Sequence, residues 1–119
     1  MTKRFLMILV MVSWCNVSYA GLTVELYLKA MSRDNEEITT TIENNIMGIN
    51  AGLMYANSEL RFLNREQLYC QPKKLELNAQ MLVSFLDTEI ESFKDRGTDI
   101  NNVPIGMILL ESLKKLFPC

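Results

Sequence analysis

The sequence predicts an all-α domain, a compact bundle of about four helices after a cleaved export signal, stapled by one disulfide. Three observations point there. Apolar residues recur at three- and four-residue spacing, no stretch alternates cleanly as a strand does, and 119 residues fit one small domain and no more.

Residues 1–20 have the composition of a signal peptide. Lys3 and Arg4 precede an apolar run from Phe5 to Val12 that extends through Trp14, and Ser18-Tyr19-Ala20 places small residues where a signal peptidase reads them, predicting cleavage after Ala20. The run is about half of the roughly 20 residues that a spanning helix needs. Cys15 follows Trp14, a bulky neighbour where a lipid-modifying peptidase requires a small one, so Cys15 is expected to leave with the signal. The domain is then residues 21–119.

The first helix is expected over Thr23 to Met31, with Thr23 as N-cap and Val24, Tyr27, Leu28 and Met31 on one stripe; Ser32-Arg33-Asp34-Asn35 breaks it. A second helix starts after Asp34 or Asn35, where Glu36 and Glu37 suit its first turn, and runs to about Asn57. Its buried positions are expected to be Ile38, Ile42, Ile46, Ile49, Leu53 and Met54. Gly48, Gly52 and Ala56 recur every four residues, which predicts close backbone packing inside the domain in preference to a homodimer seam. From Ser58 to Lys74 the periodicity is poor, although Glu59 to Phe62 can add a helical turn. A third helix is expected from Leu77 to Asp95, buried through Leu77, Met81, Leu82, Phe85, Leu86, Ile90 and Phe93 and ended by Gly97. Thr98-Asp99-Ile100-Asn101-Asn102 is a polar loop. The last helix runs from about Val103 to Leu116 with Pro104 in its first turn. Its expected buried stripe is Ile105, Ile108, Leu109, Leu113 and Leu116, and Pro118 stops it.

Composition excludes several function classes. The net charge of −2 over the whole chain becomes more negative once Lys3 and Arg4 are removed, and no basic stripe exists for nucleic acid. With no His, the usual general base and the commonest metal ligand are both missing, and no metal or cofactor is expected. Cys70 and Cys119 form an even pair in an exported chain, which reads as a disulfide and cannot complete a zinc shell without His. The carboxylates Glu89, Glu91, Asp95 and Asp99 are the only catalytic raw material. Glu91 and Asp95 share a helix face and read as a solvated acidic edge, so no enzyme activity is expected. What remains is a surface function, with the loop from Gly97 to Asn102 the segment best able to carry recognition.

Several residues carry a family resemblance. Ile46-Met47-Gly48-Ile49-Asn50-Ala51-Gly52, then Leu68-Tyr69-Cys70-Gln71-Pro72, then Gln80 in a helix containing Phe85-Leu86, and finally Phe117-Pro118-Cys119 together resemble the Rap/Tai family of type VI secretion amidase immunity proteins. The resemblance implies a small, mainly helical periplasmic protein. It would occlude the active site of a secreted peptidoglycan amidase effector, act as a homodimer, and protect the cell from intoxication by itself or its siblings. It also implies the Cys70 to Cys119 pairing. The chain departs from the family where many members carry a further Cys in the first half of the domain, since residues 21–69 contain none. Loop position and charge nominate Asp95, Arg96, Thr98, Asp99, Asn101 and Asn102 as the partner-binding residues. The alternative function is a small periplasmic chaperone of the acid-stress type, whose trigger would be protonation of carboxylates.

Overall fold

The computed structural model describes residues 21–119, and the expected export signal, with Trp14 and Cys15, lies outside them. Within the described residues the helices are α1 (Val24–Met31), α2 (Glu36–Phe62), α3 (Ala79–Asp95) and α4 (Ile105–Leu116), and there is no strand beyond an isolated bridge between Thr23 and Pro104. Three of the four helices start where a side chain supplies an acceptor for an otherwise orphaned amide. Thr23 accepts from the Leu26 N–H (3.4 Å), Asn35 from Ile38 (3.1 Å) and Asn78 from Met81 (2.9 Å). Leu77 and Leu82 are both buried in the core on either side of the Asn78 cap, the pattern of a hydrophobic staple.

The fourth helix starts differently from the expectation. Pro104 occupies the N-cap position, one step ahead of the first turn, and offers no side-chain acceptor. The helix is tied instead through Ile105, whose N–H donates to the Leu22 carbonyl at 2.8 Å.

Helix ends follow the backbone. Gly97, at φ +71°, closes α3: its N–H reaches Lys94 and the Thr98 N–H reaches Phe93, the paired bonds of a Schellman motif. The same pair closes α2, from Asn64 to Arg61 and from Arg65 to Leu60, with Asn64 at φ +53° in the glycine role. The second helix therefore continues past Asn57 to Phe62, and Glu59 to Phe62 is its last turn.

The core is the meeting of four stripes: Val24 and Tyr27 of α1, Ile42 and Ile46 of α2, Leu82, Leu86 and Ile90 of α3, and Ile105, Ile108, Leu109 and Leu113 of α4. Tyr69, Leu77 and Ile100 join from the connections, and the α3–α4 pair is the most extensive contact between helices. Two expectations about burial fail. Leu116 is 48% exposed, because the chain turns at Phe117, whose ring packs edge-on against Phe85 at 6.4 Å and fills that end of the core. Met54 is likewise 48% exposed, and the buried α2 positions in its half of the helix are Asn50 and Asn57.

The small-residue stripe is also placed differently. Gly48, Gly52 and Ala56 are exposed, and a Cβ built on either glycine would meet nothing within 4 Å. They face away from the bundle, so close packing inside the domain is not their role.

Cys70 and Cys119 are joined, tying the end of the chain to the long connection between α2 and α3. The Cys70 N–H also donates to the Phe117 carbonyl at 2.7 Å. Behind the bridge, Asn57 holds the same connection with both ends of its amide: Nδ2 donates to the Tyr69 carbonyl (2.9 Å) and Oδ1 accepts from the Leu68 N–H (2.8 Å).

Candidate functional site

The connection between α3 and α4 is short, polar and fixed at both ends. Asp99 accepts from the Asn101 N–H at 3.0 Å, an Asx turn, and the Val103 N–H returns to the Ile100 carbonyl at 3.0 Å while Ile100 itself is buried. The loop then serves as a cap for another helix. The first amides of α1, Val24 and Glu25, donate to the carbonyls of Val103 (2.9 Å) and Asn101 (3.1 Å). The backbone of residues 98–104 is thereby held against α1 while its polar side chains point outward.

All six residues nominated from the sequence, Asp95, Arg96, Thr98, Asp99, Asn101 and Asn102, are exposed on this one corner of the molecule. Arg96 lies over the Phe93 ring, 4.5 Å from guanidinium carbon to centroid, and its Nε donates to the Ser92 carbonyl, which draws the cation back along the helix. A shallow depression lined by Asp87, Thr88, Glu91, Ser92, Asp95 and Arg96 continues from the loop along the outer face of α3. Asp87, Glu91 and Asp95 recur every four residues, so three carboxylates line one edge, and Asp99 extends the acidic character into the loop.

The carboxylates do not all join this surface. Glu89 is buried and accepts an ion-pairing hydrogen bond from Lys115 of α4, which makes it part of the α3–α4 contact. Among the described residues no cluster of three or more His, Cys, Asp or Glu side chains could hold a metal ion. No described helix is long and apolar enough to cross a membrane.

The acidic edge is anchored from inside by Tyr27, missed as a site-positioning residue because its sequence signal is only that of a core aromatic. Tyr27 is fully buried, and its hydroxyl donates to Asp87 Oδ1 at 2.6 Å. Burial, then the hydrogen bond to Asp87 and the carboxylate charge, push the Tyr27 phenol far above its ordinary range, and burial raises that of Tyr69 in the same direction. The folded state therefore holds these protons more firmly than the unfolded chain. The associated stability is complete below the ordinary tyrosine value of about 10 and is lost as pH rises beyond it. Urea midpoints should be level approaching pH 9 and fall steeply by pH 11, and Tyr27→Phe should flatten that fall. Parallel profiles for the variant and the parent would show that Tyr27 does not carry it.

Comparisons with family models, with curated proteins and with solved structures found no match to this chain.

Proposed function

We propose that this protein is an inhibitory binding protein, a periplasmic immunity protein that occludes the active site of a type VI secretion peptidoglycan amidase. The observation that carries the reading is the prefixed 97–104 loop. Its backbone is committed to the N-terminus of α1, so its exposed side chains are presented at little cost in ordering entropy on binding. The acidic edge formed by Asp87, Glu91 and Asp95 beside the loop suits a basic surface around the partner's cleft and speeds encounter with it. The assignment to an amidase and to the periplasm rests on the residues that resemble the Rap/Tai family and on the composition of residues 1–20.

The homodimer implied by the same resemblance would use the outer face of α2. There Gly48 and Ala51 are followed by the exposed rings of Tyr55 (77% exposed) and Phe62 (81%) at coiled-coil-like spacing. In an antiparallel pairing centred near residues 53–55 the rings of one copy lie over the small residues of the other.

The test is rescue of cells that produce candidate periplasmic amidase effectors, with recovery of the complex. Asp99→Lys should weaken inhibition by about tenfold or more, whereas Lys73→Glu, far from the loop in sequence and on the α2–α3 connection, should weaken it much less. Asp99→Asn keeps the acceptor of the Asx turn and removes only the charge, so its inhibition constant separates the electrostatic part from the loop geometry. Equal inhibition constants for Asp99→Lys and Lys73→Glu would remove the loop from the interface.

A further inference from the structure

A cleft of about 660 Å³ opens between the C-terminal half of α2 and the disulfide-tied connection, on elements other than the α3–α4 loop. Its walls are unlike an ordinary surface crevice. Asn50 Oδ1, the Tyr69 hydroxyl and Gln71 Oε1 are all buried without a hydrogen-bond partner, and all three residues line this cleft. Buried polar groups in folded proteins are nearly always paired, and three unpaired ones on a single cleft are a concentration that needs a cause.

Asn57 supplies the internal comparison. It lies two turns after Asn50 on the same face of α2 and is equally buried (6% against 5% exposed), yet both ends of its amide are bonded to the connection. Asn50 makes only a long contact from Nδ2 to the Met54 sulfur at 3.6 Å, and either orientation of its amide leaves one end unmatched. Gln71 is fixed in orientation, because its Nε2 donates to the Leu75 carbonyl at 2.7 Å, and so Oε1 must look for a donor elsewhere. The set asks for a ligand that both donates and accepts, as a peptide group does.

Charge narrows the class. Arg61 and Lys73 line the cleft, and among the described residues neither forms an ion pair. Glu76 is the one acidic lining residue, leaving two cations against one anion. Met47, Met54, Leu75 and Leu77 supply apolar wall, with the methionines able to adapt to side chains of different shape. The volume lies within the usual range for a small-ligand site.

We infer that this cleft binds a short acidic peptide, whose carboxylates face Arg61 and Lys73 and whose amides pair with Asn50, Tyr69 and Gln71 once the connection draws back from α2 and uncovers their enclosed polar atoms. The inference is independent of the proposed role of the α3–α4 loop. Cys70, joined to Cys119, lies between Tyr69 and Gln71, so the bridge anchors that wall of the cleft to the end of the chain.

The experiment titrates acetyl-Ala-Ala-Asp into the purified, disulfide-bonded, isotope-labelled protein, with acetyl-Ala-Ala-Lys-amide as the cationic control. The acidic peptide should bind with a dissociation constant of about 1 mM or below and move the resonances of Asn50, Tyr69 and Gln71, with the control at least about tenfold weaker. Asn50→Leu removes an unmatched buried amide, so it should raise the thermal midpoint while weakening the peptide about tenfold. Arg61→Glu, an exposed position that leaves the core untouched, should weaken it at least as much. Absence of saturable binding, shifts confined to residues outside the cleft, or unchanged affinity in both variants would each overturn the assignment and leave the cleft a solvated seam between α2 and the connection.

Discussion

Replacing Cys70 and Cys119 together by serine is expected to lower the free energy of unfolding by about 4 kcal/mol on the chain-entropy estimate for a loop of this length. The bridge spans a sequence separation of 49, and the loop it closes contains all of α3 and α4. Severing it frees the unfolded chain most, since half of the described residues lie inside the loop. The folded state loses as well, because the Cys70 N–H to Phe117 carbonyl bond and the Phe117–Phe85 contact hold the chain end only while the end stays docked. Net stabilities of small domains are roughly 5–15 kcal/mol, so the variant should be folded at 25 °C only marginally if the parent lies near the lower limit. Guanidinium unfolding followed by circular dichroism measures the difference. The denaturant slope should rise, because the uncrosslinked unfolded chain exposes more surface. A loss below about 1 kcal/mol would mean that the unfolded chain retains the docking of the end, contrary to the entropy argument.

The pairing of those cysteines is legible in the sequence by parity and by the signal-like composition of residues 1–20, and so are all four helices, because periodicity and side-chain caps are local signals. Thr23, Asn35 and Gly97 mark boundaries that can be recognised from a few neighbouring residues. The failures are nonlocal. The apolar rhythm of α2 breaks after Asn57, whereas the helix stops only where Asn64 adopts a left-handed conformation. Gly48 and Gly52 read as a packing stripe, but which side of a helix faces the core depends on where α3 and α4 lie, and that is decided by the stripe through Ile42 and Ile46. The candidate loop is legible in its composition. Its rigidity is not, because the partners of Asn101 and Val103 are amides of α1 more than seventy residues away in sequence.

Replacement of Asn57 by alanine is expected to cost about 2–4 kcal/mol, far more than an asparagine near the end of a helix ordinarily would. The amide satisfies a donor and an acceptor of the connection at once, and alanine leaves the Leu68 N–H and the buried Tyr69 carbonyl unmatched. Leu68 is 38% exposed, so water can recover part of its bond; the Tyr69 carbonyl lies in a fully buried residue and cannot be compensated as readily. Ser58→Ala, one residue on and exposed, should change stability by less than about 0.5 kcal/mol and serves as the control. The two losses argued here should not add. Asn57 and the disulfide restrain adjoining residues, 68–69 and 70, so an already released connection has less to lose when the clamp is removed. Urea unfolding of the alanine variant with and without the cysteines completes the cycle. A coupling of at least about 0.5 kcal/mol toward a smaller combined loss is expected, and strict additivity would mean that the clamp and the bridge stabilise separate parts of the fold.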